Sequence, residues 1–296
     1  MTLRAQIRIL VLMLLVACGW QCAWAQDATQ DATSEKPLRP VATMFTAQYG
    51  HASVLDTYLS PVRYGGHAMS LGYEAQQATG FAPERWTRQL SLAVDYDYTH
   101  NPAGNHSMHG LMVDARWGMM HKWSDVFTPS LQFQVGGMTQ FRGGVLYNAY
   151  NSNNVVSARI HWNVGAMAQA IYNTRIKRLP ITLRYQASLP VAGVFFAPDY
   201  DEAYYEIYLG NRKNLAHLGW WGNRFDLDHM LSADLHLGNT IVRVGYRNRI
   251  STSWINHIST REMNHYVVIG IGGEFLNVGA KHSKKVNNNI ISPVYQ

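Results

Sequence analysis

Phe225-Asp226-Leu227-Asp228-His229-Met230-Leu231-Ser232-Ala233-Asp234-Leu235-His236-Leu237 alternates apolar and polar side chains almost without error. One face reads Phe225, Leu227, His229, Leu231, Ala233, Leu235 and Leu237. The other carries Asp226, Asp228, Ser232, Asp234 and His236. Successive side chains of a strand point to opposite faces, so this period of two predicts a strand with one greasy and one wet side. Gly238-Asn239 follows, a two-residue turn of the kind that closes a tight hairpin. The return run sets Val242, Val244, Tyr246 and Ile250 against Arg243, Arg247 and Arg249, and a third run from His265 aligns Val267, Ile269, Ile271 and Phe275.

The same pattern recurs seven times upstream. Strands are predicted over Val41–Tyr49, His67–Gln77, Trp86–Thr99, Gly110–Met120, Ser130–Arg142, Val156–Tyr172 and Ile181–Leu189. With the three runs above, that makes an all-β chain of ten strands, with residues 41–276 as one domain. Short connections are expected around Gly80–Pro83, Lys122–Asp125, Thr174–Pro180 and Gly238-Asn239. Longer ones are expected at His51–Gly66, His100–His109, Gly143–Val155, Pro190–Arg224 and Ser251–Asn264. Short turns at one end and long loops at the other, with an even strand number, is the pattern of an up-and-down antiparallel transmembrane β-barrel.

Alternation alone does not say which face meets water. A soluble exported ligand-binding barrel or a two-sheet sandwich would bury the apolar side. Three features favour the membrane. Many runs exceed the usual five or six residues. Aromatics such as Trp86, Tyr98, Trp123, Phe141, Tyr172 and Phe275 sit near strand ends, as interface girdles do. The polar faces carry both signs of charge, as a narrow lumen filled by paired side chains requires: Glu74, Asp95, Asp97, Asp114, Asp228 and Asp234 with Arg116, Arg159, Arg184, Arg243, Arg247 and Arg249. No apolar run after the leader is long enough for a spanning helix.

The leader itself reads as a signal peptide over residues 1–25. Arg4 and Arg8 precede the apolar run Ile9–Ala17, and Ala23-Trp24-Ala25 offers a small-x-small cleavage site. Leu15-Val16-Ala17-Cys18-Gly19 is a rival lipoprotein box that would leave a lipid on Cys18. Cleavage after Ala25 removes both cysteines, Cys18 and Cys22, and leaves no disulfide or thiolate site. Residues 26–40 read as a flexible lead-in and 277–296 as a tail. The formal charge is +6, with two positives in the leader, and no basic run interleaves with aromatics, so nucleic acid is not an expected partner. Expected partners are outer-membrane lipid, a small solute or surface ligand, and the barrel-assembly machinery of a Gram-negative envelope.

Several strings resemble an uncharacterised family of outer-membrane barrels found in Bacteroidota, domain of unknown function 3316. They are Asp56–Pro61 with Tyr64 and Gly66, Tyr204-Tyr205-Glu206-Ile207, His229–Asp234, Arg243-Val244-Gly245-Tyr246 and Asn264–Gly270. The resemblance implies a barrel in the outer membrane and no particular activity. The tail from Asn277 onward departs from barrels that end near a final aromatic.

Candidate chemistry is sparse. His51-Ala52-Ser53 and His257-Ile258-Ser259 place a base beside a nucleophile, as a lipid hydrolase at the barrel rim would need, although such a site is defined by geometry rather than spacing. With 13 histidines in the chain such coincidences are cheap, and ordinary loop polarity is the favoured explanation of both pairs. The fourth outer connection gathers Asp199, Asp201, Glu202 and Glu206 with Tyr200, Tyr204, Tyr205 and Tyr208, then Trp220 and Trp221. Such a cluster suits Ca²⁺, sugar or peptide contact, or a short helix folding its tyrosines onto the rim. His161 and His236 on the polar face lack a partner at metal-ligand spacing. No Walker loop, dinucleotide fingerprint or His-Glu-x-x-His run occurs, so neither metal nor cofactor is expected. The lumen charges admit a porin-like passage, but ten strands enclose a space that side chains fill, which favours a plugged barrel. The role read from the sequence is a non-enzymatic envelope protein, with the rim hydrolase as its alternative.

Overall fold

Every alternating run forms a strand, and every strand is longer than its run. The computed structural model describes residues 37–151, 154–210, 214–276 and 290–294. The leader, nearly all of the lead-in and most of the tail lie outside the described residues. In chain order the strands are β1 (Val41–Asp56), β2 (Ser60–Ala78), β3 (Trp86–His100), β4 (Ser107–Trp123), β5 (Leu131–Tyr147), β6 (Val156–Ile176), β7 (Leu179–Phe196), β8 (Ala216–Trp220), β9 (Arg224–Leu237), β10 (Thr240–Ile255) and β11 (Ile258–Phe275). One short helix, α1 (Tyr204–Leu209), lies between β7 and β8.

Apart from β8, which pairs only with β7, neighbours along the chain pair antiparallel, β7 pairs β9, and β1 pairs β11, so the ring closes. Strand β8 continues the line of β9 along β7: Ala192–Phe196 pair with β8, while Ile181–Ser188 pair with β9. The result is a closed ten-strand antiparallel barrel whose eighth stave is in two pieces, β8 and β9. Closure pairs the backbone donors and acceptors around the ring, which a bilayer demands; the seam between β8 and β9 is the stretch left without a ladder on β7.

The greasy faces point outward. Leu71 is 68% exposed and Phe45, Val267, Ile269 and Ile271 are similarly open, whereas Asp234 is 0% and Arg243 1% exposed inside. This is the reverse of a soluble barrel and defines a transmembrane one.

The hairpin at Gly238-Asn239 forms as expected, with Gly238 at φ 67° in the left-handed region that the turn requires. Two expected long loops do not exist. In place of a loop over His51–Gly66, β1 and β2 run on to a turn of three residues, Thr57–Leu59. Asp56 pins that turn: its Oδ1 accepts from the Tyr58 N–H (3.1 Å) and its carbonyl from the Leu59 N–H (3.0 Å). In place of a loop over Ser251–Asn264, β10 and β11 meet at Asn256-His257, both with positive φ (51° and 60°). The alternation continues through these stretches but on small and polar residues, which hid it. The ladder likewise extends into Thr174–Pro180, leaving only residues 177 and 178 as the turn, and past Pro190 to Phe196. A register shift between Val164 and Gly165 on β6 lies opposite Pro190, which has no N–H to give the ladder.

Candidate functional site

The interior is where the sequence placed its charges, and the barrel's closure decides who meets whom. Asp228 is the hub. Its carboxylate takes Arg247 Nε at 2.8 Å and Nη2 at 2.5 Å, Arg116 Nη2 at 2.8 Å and Arg249 Nη2 at 3.5 Å. Asp95 accepts from Arg142 at 3.0 Å and pairs with Arg249. Asp114 accepts from Gln140 (2.6 Å) and lies near Arg116 (3.7 Å) and Arg142 (3.8 Å). Nearer the chain termini's end, Arg243 clasps Asp234 with two bonds of 2.7 Å, and Glu74 joins Arg184 and Arg243, the latter at 3.7 Å. Asp97 differs from the rest. Asn264 donates to its two oxygens at 3.0 and 3.2 Å, and among the described residues no cation stands within ion-pair distance of it.

Arg159 reaches Asp56 (2.9 Å) and Glu262 (4.0 Å), and Arg224 holds Asp226 (2.6 Å). Arg142, Arg224, Asp56, Asp226 and Glu262 complete the network. The inward parity of Asp56, Arg224 and Glu262 was readable only with the full strand lengths in hand, since they lie beyond the alternating runs. His161 sits 3.2 Å from an Arg224 nitrogen, and His236 Nε2 lies 2.9 Å from Thr182 Oγ1, so both belong to this polar interior. Burying so many ions is tolerable because each of them except Asp97 stands against an opposite charge, and Asp97 is hydrogen-bonded by Asn264.

Apolar side chains also turn inward, which the polar-face reading did not anticipate. Ala52, Val54, Tyr64, Ala68, Met108, Met112, Leu146, Tyr266 and Val268 form one buried cluster under the outer end of β1–β5 and β11. Three cavities in and around the barrel interior measure only about 20, 30 and 50 Å³. Such spaces hold a few waters at most.

Both mouths are covered. At the end where the chain enters, Leu38 and Ile290 form a parallel bridge, and residues 290–294 lie across the opening. Gln134 Nε2 donates to the Pro293 carbonyl at 2.8 Å, and Val294, 1% exposed, packs with Ala42 and Ile171. A glutamine girdle supports this strap: Gln76 donates to Gln134 (2.7 Å), and Gln169 to Gln89 (2.5 Å).

At the other end the connection from β7 to β8 folds over the rim. Tyr58 donates its hydroxyl to the Glu202 carbonyl (2.8 Å) and meets the Tyr204 ring edge-on, while Tyr204 Oη accepts from the Ala158 N–H (2.6 Å). Burial pushes the Tyr58 phenol well above its ordinary range, reinforced by Tyr204 and Glu202. Burial raises Tyr204 too, against the opposing Ala158 bond. Glu202 and Glu206 turn back on their own backbone, accepting from Asp199 N and Ala203 N at 3.3 Å. No three carboxylate or histidine groups among the described residues stand at metal-binding distance. Tyr200, Tyr205, Tyr208, Leu209, Trp220 and Trp221 are exposed, so only Tyr204 of the expected tyrosine cluster is folded down.

The two His-x-Ser pairs are not assembled as dyads. Ser53 and Ser259 face outward on β1 and β11, His51 faces outward lower down, and His257 occupies the turn. Among the described residues neither serine hydroxyl bonds a histidine, and Ser259 instead anchors the turn by donating its N–H to Thr57 Oγ1 (2.8 Å).

A feature no local motif announced lies on the outer wall. Cross-strand register lines up Tyr147, His109, Tyr98, His67, His51, His265, Asn248 and His229 in one row around more than half of the barrel. Tyrosines one step lower reach up to it: Tyr49 to His67 Nδ1 (2.8 Å), Tyr96 to His109 Nδ1 (2.9 Å) and Tyr246 to His265 Nδ1 (2.5 Å). Below the row the outward positions are apolar; above it stands an open groove of about 750 Å³ walled by Arg63, Trp221, Phe225, Trp254, Arg261 and Met263, among others.

Three solved barrels resemble this chain. The outer membrane protease OmpT from Escherichia coli shares 8% identity at a TM-score of 0.43, covering 84% of this chain and 99% of its own. The translocator domain of the autotransporter NalP from Neisseria meningitidis shares 10% at 0.32, covering 90% and 97%. The Neisserial surface protein A, NspA, shares 13% at 0.29, covering 79% and 97%. None of these likenesses speaks to activity, and no curated protein matches the sequence significantly. The match that defines the chain is to a family model over residues 7–282: the chain belongs to the family described as protein of unknown function (DUF3316).

Proposed function

We propose that this chain is an outer-membrane envelope protein that works as a sealed barrel, meeting a surface ligand with its fourth outer connection and passing no solute. The supporting observation is the filled interior: ion pairs and an apolar cluster occupy the lumen, one mouth is crossed by residues 290–294, and the other is roofed by the Tyr58–Glu202–Tyr204 contact. What remains exposed on that roof is a set of rigid aromatics, Tyr200, Tyr205, Tyr208 and Trp220, the residue types that give contact area at low entropic cost. After export and removal of the leader, insertion would proceed through the barrel-assembly machinery.

Planar-bilayer recording of the refolded mature chain tests this. The expected result is heat-modifiable gel migration, fractionation with the outer membrane and no single-channel current. Steady ohmic conductance would refute the sealed state. Labelling by a serine-directed probe that is lost in Ser259→Ala would instead establish the lipid hydrolase.

A further inference from the structure

The groove above the histidine row is an open space of about 750 Å³, and its chemistry is specific. Arg63 on β2 and Arg261 on β11 flank β1, with Arg261 directly opposite Leu55 on one side and Thr252 on the other. Both guanidinium groups are exposed, and neither makes an ion pair or hydrogen bond with any described residue. That contrasts with the interior, where every arginine is engaged. Glu262 also borders the groove, but its carboxylate points into the barrel toward Arg142 (3.7 Å) and Arg159 (4.0 Å). No other carboxylate occupies an outward strand position above the row. Trp221, Trp254 and Phe225 form the facing wall, with Ile250 and Met263 beneath.

Depth assigns the groove to a membrane layer. On β11 the outward residues descend from His265 through Val267, Ile269 and Ile271 to Phe275. Those ten residues climb about 25 Å at 3.4 Å each with the usual barrel tilt, the full height of the apolar band. On β11 His265 therefore marks the upper edge of the hydrocarbon, and Arg261, four residues further, stands roughly 10 Å above it by the same arithmetic. That is head-group level. Two unpaired, planar, bidentate donors at that height match the oxygens of a phosphate ester.

We propose that this groove binds the phosphate of an outer-leaflet lipid between Arg63 and Arg261, its acyl chain descending along Ile250 and Met263 past the histidine row. The site rests on the outer-membrane reading above and deepens it by naming a ligand class. Tryptophans at the interface hold the sugar or glycerol portion, since their rings suit one apolar and one wet side.

The test uses the mature chain refolded in non-ionic maltoside micelles. Bisphosphorylated lipid A, or its dephosphorylated form, is titrated while tryptophan emission is followed. The phosphorylated lipid should bind and shift the emission, and the dephosphorylated one should bind at least tenfold more weakly. Arg63→Gln/Arg261→Gln should lose affinity for the phosphorylated lipid by about tenfold or more, the loss expected of an Arg–phosphate pair. An excess of inorganic phosphate should fail to displace the lipid; displacement would mean a free-phosphate site and overturn the assignment. Equal binding by the double variant and the parent would overturn it too. Heat-modifiable migration and vesicle insertion are measured on the same preparations. A chain that inserts but does not bind refutes the groove alone. A chain that stays soluble without amphiphile refutes the membrane reading beneath it.

Discussion

Asp228 and Asp97 are buried carboxylates in the same polar interior, yet removing their charge should have opposite consequences. In Asp228→Asn, Arg247, Arg116 and Arg249 lose the anion that now sits 2.5, 2.8 and 3.5 Å from them. Arg249 keeps Asp95 and Arg116 keeps Asp114 at 3.7 Å, but Arg247 retains only an amide contact, Gln48 Oε1 at 3.3 Å. Breaking one buried pair from one side costs about 3–5 kcal/mol because the other charge is left uncompensated. With three guanidiniums on one carboxylate, the upper end of that range, about 5 kcal/mol, applies. Among the described residues the Asp97 carboxylate is hydrogen-bonded by the Asn264 amide and by no cation, so Asp97→Asn removes a desolvated charge and exchanges one hydrogen bond for another. Its effect should stay within about 1 kcal/mol of zero. The assay is urea unfolding of both variants in the same micelles, followed by tryptophan emission and by gel mobility. Since the network is sealed from solvent, the difference should survive added salt. Equal destabilisation by the two variants would show that packing, and not charge pairing, sets the cost.

Three further outcomes follow from other parts of the barrel. Deleting residues 290–296 should lower stability by about 2–3 kcal/mol, from the exposed Val294 pocket and the Gln134 amide left without Pro293, and a null result in the same unfolding assay would remove the strap from the native fold. Tyr58→Phe should loosen the outer roof by about 1 kcal/mol, read as faster proteolysis within residues 197–215. Because the folded-state Tyr58 phenol is raised above its unfolded value near 10, it contributes stability below about pH 10 that is lost as pH rises. The parent's roof should accordingly open in alkali, and Tyr58→Phe should lack that step. His257→Gly should stabilise the barrel by up to about 1 kcal/mol, since His257 holds φ 60° at a cost glycine does not bear; destabilisation would mean that the imidazole has a structural role.

The period-two pattern was sufficient, before any coordinates, to define ten strands and which residues share a face, because side-chain alternation is a property of the chain's own geometry. It also placed Glu74, Asp95, Asp114, Asp228 and Asp234 on the same kind of face as Arg116, Arg184, Arg243 and Arg247. Pairing among them was not legible. Asp228 meets Arg247 across one strand boundary but Arg116 across the lumen, and the second contact depends on how far the strands tilt and shift when the sheet closes. The tight outer hairpins were missed because Ala52, Ser53, Gly65 and Gly66 carry too little hydrophobic contrast to continue the signal. The His51 and Ser53 neighbours looked like chemistry in one dimension; strand alternation keeps both on the outer face of β1, but among the described residues no hydrogen bond joins them.

The sequence by itself determined an all-β chain of two-faced strands with charge on one face, since those follow from local covalent geometry and residue type. Only the tertiary structure decided that the apolar face points out, that the interior is full, and that histidines from five strands form one row beneath an arginine pair. Those facts are set by closure and register, which bring together residues as distant as Arg63 and Arg261 and which no stretch of the chain encodes on its own.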